Sequence, residues 1–325
     1  MRLIALEEHM LTPRVARVAQ IDPRGLLGAK LAALTDLGRA RLDGMDAAGI
    51  DVQVLSAVGS LVQGLEPARS TDLARHLNDT MAEAVRQHPE RFRAFATLPM
   101  TDPAAAAAEL YRAVHDLGFV GAMVHGQTRG TFLDDPSVEP VLAAAAERGV
   151  PLYLHPAPPP PAVAAAYFSG LAPAVADMLA CGGWGWHAEC GLHVLRMVVG
   201  GVFERHPQLQ VVVGHMGENL PFSLARADEW LSPLADGLSE SVADTVRHHV
   251  HITISGYTTV PPLLCALLVF GAQRMMFAVD HPFSDNAHTA RFLADAPLSP
   301  TDRELIAHGN AERLFAAALH STDAI

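Results

Sequence analysis

Lysine is almost missing from this 325-residue chain, which has one, Lys30, among its 23 basic residues. A mechanism built on an active-site lysine, such as a Schiff-base aldolase or a pyridoxal enzyme, is thereby excluded. The same scarcity disfavours a two-metal site bridged by a carboxylated lysine. Cysteine is nearly as rare, with three residues (Cys181, Cys190 and Cys265) and no CxxC spacing. That argues against a disulfide framework or a thiolate zinc site and fits a reducing, cytoplasmic setting. Positive charge is in deficit: the net charge is −12. No basic stripe exists to displace counterions from phosphates, so neither nucleic acid nor an anionic membrane surface is an expected partner. Long apolar runs are absent too, every stretch being broken by Gly, Pro or charge, and no transmembrane span is expected. The opening MRLIALEEHM is interrupted by Glu7 and Glu8 and reads as a strand rather than a signal peptide.

What the chain does have is apolar residues, 50% of the total, enough for a substantial core. Strand-like runs fall at roughly 2–7, 51–57, 93–98, 119–125, 151–155, 209–214, 250–255 and 275–280. Helical patterns lie between them at about 36–49, 71–89, 103–117, 137–149, 191–206, 218–235, 260–270 and 301–319. Asp102-Pro103 and Asp135-Pro136 read as helix starts, and Gly118 and Gly149 as helix ends. Strands alternating with helices imply parallel pairing. Eight such units point to one (β/α)8 TIM barrel over residues 1–325, a fold that typically takes about 250 residues; the open doubly wound sheet is the alternative. Two long connections, 10–35 and 156–190, are expected insertions at the C-terminal face, the second carrying a proline run and Gly182–Trp186. Such loops tend to form lids or pocket walls.

Chemistry gathers at the ends of the apolar runs. Glu7 and His9 follow LIAL, His155 closes PLYLH, His215 closes QVVVGH and Asp280 closes MMFAVD. Imidazoles and carboxylates are costly to bury unpartnered. Several at strand C-termini therefore point to convergence on a metal at the catalytic face of a barrel. Strand alternation puts Glu7 and His9 on one face and Glu8 on the other. A carboxylate-x-imidazole pair suits zinc, manganese or iron. Each residue also has a plainer reading: His155 as a core histidine, His215 as a cap or packing residue, Asp280 as a structural cap. Glu218 opens the helix after His215. His281, next to Asp280, faces the other way. His248, His249 and His251 read as a solvated helix end entering a strand, and His187, His193 and His206 carry no assigned chemistry.

ALEEH at 5–9, RLDGMDAAGIDVQVLS at 41–56, YLHP at 153–156, GWGW at 183–186, FERHPQLQVVVGHMGENLP at 203–221, VDHPF at 279–283 and GNAERLF near the end resemble the amidohydrolase-related decarboxylases. These act on γ-resorcylate, 5-carboxyvanillate and aminocarboxymuconate semialdehyde. The resemblance spans nearly the whole chain. It implies an amidohydrolase-type barrel binding one divalent metal ion (Mn2+ or Zn2+) through Glu7, His9, His155 and Asp280, with His215 and Glu218 as catalytic helpers. It matches Arg226 to a substrate-pocket arginine and Phe283 to a pocket-wall aromatic. It implies a homodimer or homotetramer. Glu-x-His rather than His-x-His sides with the benzoate decarboxylases. His125 and Tyr257 depart from the family pattern, and Trp184 and Tyr167 have no assigned place.

The activity so implied is non-oxidative decarboxylation of a hydroxylated aromatic acid, with Asp280 protonating the ring carbon that bears the carboxylate. The alternative is a metal-dependent hydrolase of a lactone or amide on the same scaffold, in which Asp280 acts as base. A catalytically dead binding protein has no support, since every expected ligand is present.

Overall fold

A computed structural model describes residues 1–320; residues 321–325, the end of the expected domain, lie outside the described residues. The apolar runs form eight strands: β1 (Ile4–Met10), β2 (Val52–Ala57), β3 (Phe92–Thr97), β4 (Gly121–His125), β5 (Leu152–His155), β6 (Val211–Val213), β7 (Val250–Thr253) and β8 (Met275–Met276). They pair in parallel in chain order. A bridge between Leu6 and Ala278 brings the two ends of the sheet together, with the Leu6 N–H donating to the Phe277 carbonyl at 3.1 Å. The molecule is the expected (β/α)8 barrel. Every residue of β1, β2, β4 and β5 is buried. Strands covered on both faces read as continuous apolar runs rather than as an alternating pattern. Phe92, Phe95, Tyr153 and Phe277 are among the largest fully buried side chains.

Local sequence explains the helix ends. The Asp102 side chain accepts from the Ala105 N–H at 3.1 Å and caps Pro103–His115. Gly149, at φ 63°, ends Glu139–Arg148 in the left-handed conformation that glycine adopts without steric cost.

Both insertions hold more order than punctuation by proline and glycine implies. Residues 10–35 contain helices Pro13–Val18 and Leu26–Thr35, and residues 156–190 contain Pro161–Phe168 and Pro173–Ala180. Helix Asn286–Asp295 was not expected. The helix expected to start at 191 begins at Gly185, inside the GWGW stretch. β8 is shorter than its apolar run because the Phe277 N–H donates to the Ile306 carbonyl instead of continuing the ladder.

β1 also departs from simple alternation. Its register against β2 shifts between Ala5 and Glu8, and Glu7 sits at φ 63°. This is a bulge, a device that re-aims side chains beside functional sites.

Candidate active site

Left-handed backbone marks the C-terminal mouth of the barrel. Glu7, His215, Met216, Glu218, Asn219 and Asp280 all have φ between 51° and 71°. Each such non-glycine residue costs on the order of 1 kcal/mol or more and persists only where the surroundings enforce it. With Gly217 at φ 86°, residues 215–219 form an unbroken left-handed turn between β6 and helix Leu220–Leu231. That turn brings His215 and Glu218 onto the same side.

Glu7, His9, His155 and Asp280 converge: one ligand atom from each lies within 4.8 Å of the others. His9 Nε2 is 3.3 Å from Asp280 Oδ1, and His155 Nε2 is 3.3 Å from Glu7 Oε1. The far nitrogens are anchored, His9 Nδ1 at 3.1 Å from Ser56 Oγ and His155 Nδ1 donating to the Pro156 carbonyl at 2.7 Å. Anchoring one nitrogen leaves the Nε2 lone pair aimed inward, as ligating histidines require. Tyr153 O–H donates to Glu7 Oε2, whereas buried Glu7 Oε1 has no hydrogen-bond partner. An orphaned carboxylate oxygen among imidazoles is an incomplete arrangement for a protein alone. Two carboxylates and two imidazoles fit a divalent ion of the manganese or zinc kind.

Burial alone would raise the Glu7 carboxyl. The His215, His155 and His9 rings around it outweigh burial and hold it well below the usual carboxylate range. Asp280 is treated likewise: burial opposes, but the His215 and His9 imidazoles facing it bring its carboxyl below the ordinary value. Glu8 points away and accepts from Gln53 Nε2 and the Val279 N–H, each at 2.9 Å. Burial pushes its carboxyl well up. Behind β1 the buried Arg41 donates to the His9 carbonyl at 2.5 Å.

His215 Nε2 faces Glu7 Oε1 at 3.7 Å and Asp280 Oδ2 at 3.8 Å. Its Nδ1 lies 2.6 Å from Glu218 Oε1, and the other Glu218 oxygen lies 2.6 Å from His187 Nδ1. Burial would favour the neutral His215 ring; Glu218 and Glu7 outweigh it and push the imidazole well above its usual range. His187, His215 and Glu218 also cluster tightly enough to look like a metal site. Their 2.6 Å separations are hydrogen bonds, shorter than the roughly 3.3 Å between ligand atoms around a tetrahedral ion. Sequence reasoning gave His187 no chemistry, and no local signal marks it, because its partner lies 31 residues away.

Above these groups opens a cavity of about 310 Å³, lined by His9, His155, His215 and Asp280 and walled by Leu26, Leu27, Val58, Pro156, Pro158, Trp186 and Phe283. Both insertions thus contribute walls. Phe283 stands edge-on to the His9 ring, centroids 5.8 Å apart. Arg226 is elsewhere, a correction to its expected place in the pocket. Its side chain is 66% exposed, pairs with Glu229 at 2.8 Å and lies over Trp230. It lies on helix Leu220–Leu231 and does not line the cavity. Tyr257 packs against the rings of His187 and His215, and Trp184 is largely exposed. The His281 carbonyl accepts from the His9 N–H at 2.7 Å, and its half-buried ring does not line the cavity.

Known proteins share this architecture. A family model described as amidohydrolase matches residues 33–317. The chain is 36% identical to decarboxylase orsB of Emericella nidulans, covering 96% of both chains. It is 35% identical to γ-resorcylate decarboxylase of Rhizobium sp., covering 96% of this chain and 97% of that one. Among solved structures it superposes, with a TM-score of 0.89 and 34% identity, on a dihydroxybenzoic acid decarboxylase from Polaromonas sp. bound to manganese and the inhibitor 2-nitroresorcinol; 97% of this chain and 96% of that one are covered.

Proposed function

The chain belongs to the amidohydrolase family, and on that premise we propose that it is a metal-dependent, non-oxidative decarboxylase of a hydroxylated aromatic carboxylic acid. The observation that carries the reading is the convergence of Glu7, His9, His155 and Asp280, backed by His215 and Glu218, at the floor of a cavity walled by apolar side chains. Relatives named as decarboxylases of dihydroxybenzoates match it along nearly the whole length.

Glu7, His9, His155 and Asp280 would hold one divalent ion, manganese or zinc, whose charge would fix and neutralise an aromatic carboxylate and its neighbouring phenolate. The chain's own groups do the rest. Pro156, Trp186 and Phe283 line the cavity that receives the ring and restrict water. Direct loss of carbon dioxide would leave an aryl carbanion. Asp280, ionised at rest, avoids this by taking a proton from the His215 imidazolium once the anionic substrate is seated and giving it to the ring carbon that carries the carboxylate. The carbon–carbon bond then breaks, its electron pair restores the aromatic ring, and carbon dioxide leaves. His215, with Nε2 toward Asp280 Oδ2 and Nδ1 held by Glu218, supplies the proton to Asp280.

Two further readings complete the picture. Exposed Tyr167, Val175, Met178 and Trp184 on and beside the helices of the second insertion form an apolar face. Such a face is suited to a second copy of the chain; sedimentation as a single-chain species would rule out the homo-oligomer. Three free thiols, Cys181, Cys190 and Cys265, support a reducing, cytoplasmic setting. No helix among the described residues is long and apolar enough to cross a membrane.

The test is to incubate manganese- and zinc-loaded protein with a panel of hydroxybenzoates and follow carbon dioxide, with lactones in parallel. Metal-dependent carbon dioxide release supports the reading. Silence there, with acid released from a lactone, makes the protein a hydrolase.

A further inference from the structure

Glu8 stands between Glu7 and His9 in the chain, but its side chain is turned away from them and fully buried. Its Oε1 accepts from the Val279 N–H and its Oε2 from Gln53 Nε2, each at 2.9 Å. Gln53, on β2, accepts in turn from Arg41 Nη1 at 3.3 Å. Arg41 also donates to two carbonyls, that of His9 at 2.5 Å and that of Asp36, at the end of helix Leu26–Thr35, at 2.9 Å. None of the three residues is more than 3% exposed.

This buried chain of hydrogen bonds meets the ligand set at both ends. Val279 immediately precedes Asp280, so the Glu8 carboxylate holds the peptide that leads into one ligand. Arg41 holds the carbonyl of another, His9. Between them, His9 Nε2 and Asp280 Oδ1 already stand 3.3 Å apart. The wiring admits one arrangement. A guanidinium only donates and a carboxylate only accepts, so the Gln53 amide must turn its oxygen to Arg41 and its nitrogen to Glu8. Buried polar networks fix a unique geometry when every member is satisfied and become costly when one is not.

We propose that Glu8 is a positioning residue of the metal centre: wired to Arg41 through Gln53, its carboxylate sets Asp280 opposite His9 before an ion arrives. The proposal rests on the reading of Glu7, His9, His155 and Asp280 as ligands and adds a residue that itself touches no ion. Altering groups that orient ligands in this way weakens metal binding by about 10–100-fold.

The experiment titrates metal-free protein with manganese, well below the melting temperature, and reads the paramagnetic resonance signal of the free ion. Glu8→Gln sets an amide nitrogen against the Gln53 nitrogen or the Val279 N–H, and Gln53→Glu sets a carboxylate against a carboxylate. In each single variant that folds, Kd is expected to rise about tenfold or more. Glu8→Gln combined with Gln53→Glu again gives Arg41 and the Val279 N–H an acceptor each and pairs an amide nitrogen with a carboxylate. In that exchange Kd is expected to return to within about threefold of the wild-type value. Single variants with the wild-type Kd, or an exchange that fails to recover it, overturn the proposal. Loss of folding in both single variants does so too, because it makes the chain of hydrogen bonds structural. A wild-type protein that takes up no manganese overturns the metal reading itself.

Discussion

His187 and His215 grip opposite oxygens of one carboxylate: each Nδ1 lies 2.6 Å from a different oxygen of the buried Glu218. His187 thereby fixes the plane of Glu218, and Glu218 fixes the ring of His215, whose Nε2 then faces Glu7 and Asp280. Orientation of this kind is transmitted to turnover rather than to binding.

Glu218→Gln is therefore expected to lower kcat by about 10²–10³-fold with KM changed little, because the lost interaction supports proton transfer. His187→Phe, which keeps an aromatic ring but deletes the donor, should show the same kcat-only pattern at roughly tenfold. Steady-state kinetics on the best hydroxybenzoate checks both; a change confined to KM would contradict the relay.

The orphaned Glu7 Oε1 predicts strong linkage between metal and stability. Chelation should lower the melting temperature, and manganese at 100 times its Kd should restore about 2.7 kcal/mol. In Glu7→Gln the ion should neither bind in stoichiometric amount nor raise the melting temperature. Metal analysis together with thermal unfolding reads out both.

Gly214 is the close approach on which the site depends. A Cβ there would come within 2.9 Å of Glu7 Oε2 and 3.1 Å of Ser255 Oγ. Gly214→Ala should displace Glu7, destabilising the fold by about 1–3 kcal/mol and weakening metal retention. Equilibrium dialysis of the folded variant against manganese tests the second part.

Two buried histidines that do not line the cavity set an acid limit. Burial holds the His193 imidazole down at about 3, and burial with Arg274 nearby does the same for His251, against 6.5 for the free side chain. Both rings are acceptors: His193 Nε2 receives the Leu133 N–H at 2.8 Å, and His251 Nε2 receives Arg274 at 2.9 Å. Above pH 6.5 the folded and unfolded states are both neutral at these residues and stability is flat. As pH falls from 6.5 toward 3, the unfolded chain takes up protons that the native state refuses. Each residue then costs on the order of 2–3 kcal/mol at pH 4.5. Denaturant unfolding at pH 7.5 and 5 should show a shallower pH dependence in His251→Gln than in the wild-type protein.

The barrel was legible because strands covered on both faces are largely apolar, and the runs of β1, β5, β6 and β8 lead into costly polar residues. Glu7, His9, His155, His215 and Asp280 could be picked out for that reason, and the structure gathers them at one mouth. The helices of the insertions were hidden: Pro13–Val18, Pro161–Phe168 and Pro173–Ala180 are too short to show a period, and Leu26–Thr35 has little polar contrast between its faces. His187 was hidden because its role comes from contact with Glu218 across the barrel mouth, not from spacing. Arg226 misled because a motif fixes a residue's place on a helix but not the direction in which that helix presents it.

The central claim is that Asp280 delivers a proton to the ring carbon that loses its carboxylate, and one measurement addresses it directly. Manganese-loaded wild-type and Asp280→Asn proteins are given the best hydroxybenzoate in D2O, carbon dioxide is followed, and the position of deuterium in the phenol product is determined. The account predicts one deuterium, at the carbon vacated by the carboxylate, and a loss of at least about 10³-fold in rate for Asp280→Asn, equivalent to about 4 kcal/mol of barrier. Carbon dioxide release by Asp280→Asn within about tenfold of wild type, with the metal still bound, would contradict it.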